Sequence, residues 1–226
     1  MKSVNNTVLI TGGGSGIGLE LATQLISLGN EVIITGRDLE KLKVAAKGLP
    51  KLHIIQSDVS STSSIKSLYA KVTKEFPRLN VLINNAGIMR AINLNDTPSE
   101  LSDMTTEIET NLSGLIQMTA QFLPQLKKQK NAGIMNVSSG LAFVPLAAAP
   151  VYCATKAAVH SYTQSLRVQL KQTNVTVFEL APPLTETPLI DKMGRDGMEG
   201  IKAMSVQNLV GRSGNGRSHP SVEDGK

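Results

Sequence analysis

Short apolar runs alternate along the chain with longer stretches in which apolar residues recur every three or four positions. Short β-branched runs predict strands, and the three-to-four spacing predicts helices. The predicted strands are 8–10, 31–35, 53–55, 81–84, 134–138 and 175–180. Because helical stretches separate successive strands, the pattern predicts an α/β fold: a doubly wound, mostly parallel sheet with helices on both faces.

The helical stretches carry their own boundary signals. The predicted helices are 16–28, 39–47, 65–76, one that ends near residue 130, and one over about 151–171. Gly29 supplies a stop after the first helix, and Pro77 follows the third. Pro124 predicts a kink or a break in the fourth helix, because proline cannot donate the helical hydrogen bond.

The 226 residues are enough for one domain with a substantial core, which we assign to residues 1–205. The remaining residues, 206–226, are predicted to form an atypical, mobile tail. Residues 211–220 are mainly Gly, Ser, Arg, Asn, His and Pro without apolar periodicity, so they cannot bury enough surface to offset the entropy lost on ordering.

Composition narrows the function classes. The single cysteine excludes an intrachain disulfide, and one cysteine with three scattered histidines gives no metal-ligand spacing, so no metal is expected. The net charge of +5 is spread among acidic residues without a basic run, which argues against nucleic acid as a partner. No apolar stretch is long enough for a signal peptide or a membrane span, and we expect a cytoplasmic protein without a membrane partner.

A glycine-rich turn links the first strand to the first helix, with the sequence Thr-Gly-Gly-Gly-Ser-Gly-Ile-Gly over residues 11–18. Small residues at this place let the backbone approach a pyrophosphate, and the helix N-terminus attracts its charge. A bare turn would also use glycine, so the context of strand, turn and helix is what favours a nucleotide. The predicted cofactor contacts in this turn are Gly12, Gly14, Ser15, Gly16, Ile17 and Gly18.

The glycine spacing resembles that of the short-chain dehydrogenases/reductases, whose pattern is T-G-x-x-x-G-x-G. Three further stretches resemble the same family: Asn84-Asn85-Ala86-Gly87, Ser138-Ser139 and Tyr152-x-x-x-Lys156. The resemblance covers residues 7 to about 190 and implies a Rossmann-fold, NAD(P)-binding catalytic domain. It also implies hydride transfer between the cofactor and a carbonyl or secondary alcohol. The stretches 139–143, 152–156 and 181–183 resemble one branch of the family in Gram-positive bacteria, a likeness that identifies no substrate.

By this resemblance the catalytic residues are Asn111, Ser139, Tyr152 and Lys156. Tyr152 and Lys156 are four positions apart on a predicted helix, so the ammonium can favour the phenolate and make Tyr152 an acid/base near neutral pH. Ser139, at the carboxyl end of a strand, can donate to the carbonyl oxygen as charge develops on it, with Ser138 as the alternative. The resemblance alone implies that Lys156 holds the nicotinamide ribose and that Asn111 holds a water of the proton relay.

The end of the second strand bears on cofactor choice. NAD-preferring relatives commonly carry an acidic residue at the position of Gly36, which repels a 2′-phosphate. Arg37 instead offers charge-assisted hydrogen bonds to that phosphate, so NADP(H) is favoured over NAD(H). Asp38 keeps NAD(H) open as an alternative, since its distance from Gly18 suits a ribose contact, although it can equally cap the next helix.

The resemblance adds further cofactor contacts. These are Asp58 and Val59 at the adenine, then Asn85, Ala86, Gly87, Tyr152, Lys156, Pro182 and Thr187. The chain departs from the family at Pro183, where relatives usually have glycine. Proline fixes φ and lacks the amide hydrogen, so the backbone nitrogen of this residue cannot donate a hydrogen bond to the cofactor.

The predicted pocket walls are 141–146 and 184–190, and both are apolar with few charges. They favour a small, uncharged or partly apolar carbonyl compound or alcohol as the substrate. The alternative reading is a catalytically silent nucleotide-binding regulator or scaffold of the same fold, because fold does not fix function. A broken catalytic set would indicate that alternative, and this set is complete.

The assembly prediction starts from the end of the chain. After Met204 no second β-branched run follows, so we expect no seventh strand. Two long helices carry apolar residues at helical spacing, and we expect a two-fold homodimer through them. These residues are Leu112, Leu115, Ile116 and Phe122 on one helix, and Val159, Tyr162, Leu166 and Leu170 on the other.

Overall fold

The computed structural model describes residues 4–96, 101–193 and 203–209. In these residues six strands form one parallel sheet in the order β3-β2-β1-β4-β5-β6. Their bounds are β1 Thr7–Thr11, β2 Glu31–Gly36, β3 Leu52–Gln56, β4 Leu79–Asn84, β5 Ala132–Val137 and β6 Val175–Leu180. The predicted fold class is confirmed. Strand order reverses between β1 and β4, and at such a switch point a ligand cleft opens beyond the carboxyl ends of the strands.

Helices connect the strands as the spacing predicts, with bounds that shift by one to three residues. They are α1 Gly16–Ser27, α2 Leu39–Ala46, α3 Thr62–Glu75, α4 Thr106–Ile108, α5 Gly114–Lys127, α6 Pro150–Gln169 and α7 Pro188–Met193. The side chain of Asp38 caps α2, and that of Ser61 caps α3. These caps fix where the helices begin on the cleft side of the sheet.

The expected kink or break at Pro124 did not end α5, which continues through the proline to Lys127. Pro124 is exposed, so water can satisfy the carbonyl that loses its amide partner. The irregularity lies earlier, in the π-helical turn Glu109–Ser113 that joins α4 to α5. A turn of this kind inserts an extra residue into a helix and is frequent at functional sites.

The core lies on both faces of the sheet. On one face Leu9, Ile134 and Phe122 belong to a cluster that also takes in α3, α5 and α6. On the other face Ile10, Ile34 and Leu42 belong to a second cluster, which includes α1 and α2. Strand β1 is buried along its whole length, as expected for a central strand covered on both faces.

Residues 203–209 pack back onto the domain. Met204 forms an isolated parallel bridge with Thr185, Val206 contacts the second core cluster, and Leu209 is buried. In the described ranges the sheet ends at β6, without a seventh strand. The predicted mobile tail began at residue 206, but residues 206–209 are helical and pack on the domain. Residues 210–226 lie outside the described residues, so for them the tail stays a prediction.

The predicted dimer helices turn most of their apolar residues inward. Five of the eight residues named for that contact are buried within the chain: Leu115, Phe122, Val159, Leu166 and Leu170. Leu112, Ile116 and Tyr162 are partly exposed. Their helical spacing therefore reflects mainly the core of the single chain. No described helix combines the length and apolarity that a membrane span requires.

Candidate active site

The glycine-rich turn is closed by the stretch that follows β4. Gly12 has φ +66°, and a Cβ there would lie 2.8 Å from the Ala86 Cα atom. The Asn85 side-chain amide donates to the carbonyl oxygens of Thr11 and Gly12, at 3.0 and 3.1 Å. A Cβ at Gly18 would lie 2.5 Å from that amide nitrogen. These glycines are therefore required by close backbone packing, and Asn85 holds the turn that would receive a pyrophosphate.

Two basic side chains line the cleft beyond β2, one directly after the strand and one in the first turn of α2. Arg37 and Lys41 both line it, next to Gly14 and Gly36. The Asp38 carboxylate accepts a hydrogen bond from the Lys41 backbone nitrogen at 3.0 Å, so it caps α2. Sequence reasoning missed Lys41. The signal available was its position, one helical turn beyond Arg37.

Asp58 and Val59 line the cleft beside the glycine turn. One carboxylate oxygen of Asp58 accepts from the Ser60 nitrogen at 2.9 Å and from the Ser60 hydroxyl at 2.7 Å. Val59 is buried, and a Cβ at Gly114 would lie only 2.6 Å from its carbonyl oxygen. The helix α5 therefore packs directly beneath this part of the cleft.

Tyr152, Lys156 and Ser139 meet where β5 ends beside the start of α6. All three side chains are buried, and the Lys156 Nζ atom lies 5.6 Å from the centre of the Tyr152 ring. That Nζ donates to the Val137 carbonyl oxygen at 2.8 Å. Ser139 hydrogen bonds to Tyr152 and accepts from the Leu141 nitrogen at 3.1 Å. The serine is thus fixed by the short 3₁₀ turn that begins after it.

Ser138, the alternative to Ser139, faces elsewhere. Its hydroxyl and its backbone nitrogen both donate to the Leu180 carbonyl oxygen, at 3.4 and 2.8 Å. Ser138 therefore serves the pairing of β5 with β6, and this geometry favours Ser139 as the serine of the site.

Asn111 lies in the π-helical turn and is 1% exposed. Its Oδ1 accepts from the Ile88 nitrogen and its Nδ2 donates to the Ile88 oxygen, both at 2.8 Å. Nδ2 also donates to the Thr155 hydroxyl on α6 at 3.1 Å. A Cβ at Gly87 would lie 3.4 Å from Asn111 Oδ1 and 3.7 Å from Lys156 Nζ. Asn111 and Lys156 are thus both close to Gly87, and Tyr152 and Ser139 join this group through the contact of Lys156 with Tyr152 and of Tyr152 with Ser139.

Burial acts on the two titratable groups in opposite directions. It raises the pKa of Tyr152 to about 12, while the hydrogen bond from Ser139 works against that rise. Burial also lowers the pKa of Lys156 to about 8. Burial thus disfavours the charged form of each group: near pH 7 Tyr152 is a neutral phenol in the ligand-free site, whereas Lys156 is still largely protonated. Burial therefore works against the expectation that Lys156 poises Tyr152 near neutral pH, and for the cofactor-bound site that expectation stays a prediction.

The loop after β6 closes the cleft opposite the glycine turn. Pro182 accepts from the Gly140 nitrogen at 2.7 Å, and Thr187 packs 3.4 Å from a Cβ built on Gly16. The Pro183 carbonyl accepts from the Thr185 hydroxyl at 2.7 Å. Thus Pro183 is accommodated in a turn, and Pro182 and Thr187 both line the cleft.

One wall of the cleft is apolar. Tyr152, Met89 and Ala149 are buried together, and Leu141, Leu146, Leu189 and Ile190 pack against them. The whole cleft, from Arg37 to this wall, is about 960 Å³. A volume of that order holds a dinucleotide together with a small substrate. The predicted walls 141–146 and 184–190 both contribute to it.

Comparisons with known proteins show the family to which the chain belongs. The family model described as short chain dehydrogenase matches residues 6–197. The uncharacterized oxidoreductase DltE of Bacillus subtilis is 52% identical over 192 residues, which cover 85% of this chain and 76% of the relative. The NADP-dependent 3-hydroxy acid dehydrogenase YdfG of Shigella flexneri is 32% identical over 204 residues, covering 90% of this chain and 82% of the relative.

A solved structure agrees in fold. The 3-ketoacyl-(acyl-carrier-protein) reductase from Brucella melitensis complexed with NADH is 26% identical and superposes with a TM-score of 0.86. The superposition covers 94% of this chain and 90% of that one. Since that reductase carries NADH and YdfG is NADP-dependent by name, these relatives support a nicotinamide cofactor without choosing between the two forms.

Proposed function

The chain belongs to the short-chain dehydrogenase family, and we propose that it is an oxidoreductase that transfers a hydride between NADP(H) and a carbonyl or secondary alcohol. The substrate is a small, largely apolar molecule. The observation that carries the proposal is that Ser139, Tyr152 and Lys156 line one end of a cleft whose other end holds the glycine turn, while Asn111 bonds the backbone of the neighbouring Ile88. The closely packed glycines, which leave no room for a Cβ at Gly12 or Gly18, fit a pyrophosphate against the backbone.

Each residue has a definite task in this mechanism. The bound nicotinamide ring supplies or accepts the hydride. Tyr152 donates its phenolic proton to the carbonyl oxygen during reduction and takes it back during oxidation. Ser139, oriented by the Leu141 amide, donates a hydrogen bond to the same oxygen as negative charge develops there. Lys156 binds the nicotinamide ribose and, when charged, favours the phenolate.

The proton that Tyr152 gives up is replaced from the Asn111 side. The Asn111 side chain fixes the backbone of Ile88, and its neighbour Gly87 leaves Lys156 Nζ within reach. A water held against this backbone would pass protons towards Lys156. Tyr152, whose pKa is about 12 in the ligand-free site, would ionise more easily beside the positive charge that an oxidised nicotinamide would supply there.

NADP(H) is favoured because the end of β2 is basic where the 2′-phosphate would lie. Gly36 carries no side chain to repel it, and Arg37 and Lys41 both face the cleft. Asp38, which supported NAD(H), has its carboxylate engaged in capping α2.

Cofactor choice can be tested by titrating the cofactors into the protein. Arg37→Ala and Lys41→Ala are each expected to weaken NADPH binding by about 1–3 kcal/mol through loss of charge-assisted bonds, with little effect on NADH. The matched control is Lys43→Ala, because Lys43 pairs with Glu40 at 2.7 Å on the same helix. Equal losses for both cofactors, or tighter NADH binding by the wild type, would contradict the choice of NADP(H).

The substrate experiment is a screen of aldehydes, ketones and secondary alcohols with both cofactors, followed at the absorbance of the reduced nicotinamide. The apolar wall favours uncharged compounds with small apolar groups. The panel should include 3-hydroxy acids, since YdfG is named for them. Turnover restricted to charged compounds would reject the substrate class, and no turnover of any compound would favour the silent regulator.

A two-fold homodimer through α5 and α6 stays our proposal for the assembly. The apolar surface available for it is smaller than the spacing suggested, because only Leu112, Ile116 and Tyr162 of the named residues are partly exposed. Val168 on α6 adds a side chain that is 75% exposed. We expect light scattering on a sizing column to give the mass of a dimer at micromolar protein. A tetramer or a monomer would each reject this assembly.

A further inference from the structure

A carboxylate with no task in the proposed mechanism is buried behind the active-site wall. The Glu107 side chain on α4 is 0% exposed. Its Oε1 accepts from the Arg90 backbone nitrogen at 3.0 Å, and its Oε2 lies 3.8 Å from the Arg90 Nε. Among the described residues, neither that Oε2 nor that Nε has a hydrogen-bond partner. Burying an incompletely paired charge is unfavourable, which calls for an explanation at this place.

Glu107 and Asn111 hold the same segment of backbone. They lie about one turn apart, and both bind the backbone of residues 88–90. Asn111 bonds the nitrogen and the oxygen of Ile88, and Glu107 bonds the nitrogen of Arg90. Residues 85–93 form neither helix nor strand, so their backbone groups lack the regular hydrogen bonds of secondary structure. The side chains of Asn111 and Glu107 bond some of these backbone groups instead.

The segment that they hold carries part of the active site. Met89, between the two bonded residues, is 6% exposed and packs in the same apolar cluster as Tyr152. Arg90 lines the cleft, and its guanidinium pairs with Asp103 at 2.8 Å and also donates to the Asp103 carbonyl oxygen. A shift of this segment therefore moves an apolar side chain that lies against the reacting tyrosine.

We propose that Glu107 is a positioning residue of the active site, which holds residues 88–90 and thereby keeps Met89 packed against Tyr152. The inference rests on the proposed function, because that function assigns the proton transfer to Tyr152. It adds a residue that touches neither the substrate nor the cofactor and acts through the backbone of Arg90.

The charge of Glu107 also reaches the tyrosine. The groups around its carboxylate are Arg90 from the held segment, Asp103 from the preceding 3₁₀ turn and Tyr152 from α6. Burial raises the pKa of Glu107, and the Arg90 backbone bond and charge oppose that rise. The negative charge of Glu107 adds to the causes that raise the pKa of Tyr152. Removing this charge should therefore make the phenol easier to ionise.

Two substitutions separate these effects. Glu107→Gln keeps an oxygen acceptor for the Arg90 amide and removes the charge, whereas Glu107→Met removes both. With Glu107→Gln we expect kcat close to that of the wild type and the basic limb of the pH–kcat profile at lower pH. With Glu107→Met we expect kcat about 10- to 100-fold lower, as for a small misplacement near the reacting groups, and unchanged NADPH binding. The control is Glu109→Gln, an exposed residue two positions further on.

Hydrogen exchange gives a readout that needs no substrate. The Arg90 amide should exchange faster in Glu107→Met, and peptides from β1 should exchange as in the wild type. Wild-type exchange of the 88–90 segment in Glu107→Met, or wild-type kcat in that variant, would overturn the proposal. If Glu107→Met fails to fold, kcat of Met89→Ala decides, because Met89 is the side chain through which Glu107 is proposed to act: wild-type kcat in that variant is the overturning result. An active Tyr152→Phe would instead reject the proposed function, and the exchange result would stand apart from it.

Discussion

Tyr152→Phe is expected to abolish turnover while NADPH binding stays unchanged. The substitution removes only the phenolic hydroxyl, which is both the transferable proton and a hydrogen-bond donor to the reacting oxygen. Loss of a positioned general acid lowers kcat by roughly 10²- to 10⁴-fold. The ring itself stays in the apolar cluster with Met89 and Ala149, so the fold has little reason to change. The measurement is kcat on any compound that the wild type turns over, beside a cofactor titration.

The matched control for this variant is Tyr162→Phe. Tyr162 lies on the same helix, is half-buried, and hydrogen bonds to Thr119 far from the cleft. We expect its kcat to match that of the wild type. Equal kcat for the wild type and for Tyr152→Phe would show that another group moves the proton, and the assignment of Tyr152 would be withdrawn.

Lys156→Met is expected to make the folded chain more stable at neutral pH while it destroys activity. The pKa of Lys156 falls from 10.5 to about 8 on burial, so below pH 8 the folded state holds a charged lysine at an energetic cost. Methionine has a similar length, and because its side chain is uncharged it does not lose the hydration of a charge when it is buried. The gain is about 1–3 kcal/mol, because the lost hydrogen bond to the Val137 oxygen offsets part of the relieved penalty.

The pH dependence of this gain has a definite sign. Between pH 8 and 10.5 the unfolded chain keeps the Lys156 proton and the folded chain releases it, so the wild type becomes more stable as pH rises. The extra stability of Lys156→Met is therefore fully present below pH 8 and shrinks as pH rises to 10.5. Denaturant unfolding of both proteins across this window measures it. The control is Lys66→Met, since Lys66 is exposed on α3 and should show no such trend. A destabilised Lys156→Met at pH 7 would mean that the lysine is not under strain.

Much of the fold could be predicted because its signals are local. Each strand is a short β-branched run, and each crossover helix has a stop or a cap within a few residues of its end, as with Asp38 and Ser61. Pro124 shows the limit of such signals. Proline disfavours a helix interior, but tertiary packing of α5 overrides that preference where the proline faces water.

The parts of the candidate site that depend on the spacing of residues along one helix could be predicted. The parts that depend on contacts between separate segments of the chain could not. Tyr152 and Lys156 meet because a helix brings residues four apart together, so their proximity follows from the sequence. The contact of Glu107 with Arg90 joins residues on separate segments whose approach depends on the π-helical turn, and no periodicity in the chain announces that turn. The same reason hides the direction of the two pKa shifts, since burial is a property of the folded packing.

The spacing of apolar residues on the two long helices also fitted two different packing partners, another subunit or the chain's own sheet. Leu166 and Leu170 recur at helical intervals whether they face another subunit or the chain's own sheet, and here they are buried in the core. The spacing shows that a helix has an apolar face, but it does not show whether another subunit or the chain's own sheet covers that face.

The contact of Met204 with the loop after β6 differs in local stability from the part of the molecule that holds the reacting side chains. Two backbone hydrogen bonds, from Met204 to Leu184 at 2.8 Å and from Glu186 to Met204 at 2.9 Å, form a seam on the outer side of the pocket. The reacting side chains are instead anchored on the sheet and on α6, where ladders and a close-packed core resist opening. We expect the seam to open at a lower free energy than the sheet, because it lies outside the hydrogen-bond ladders that join the six strands.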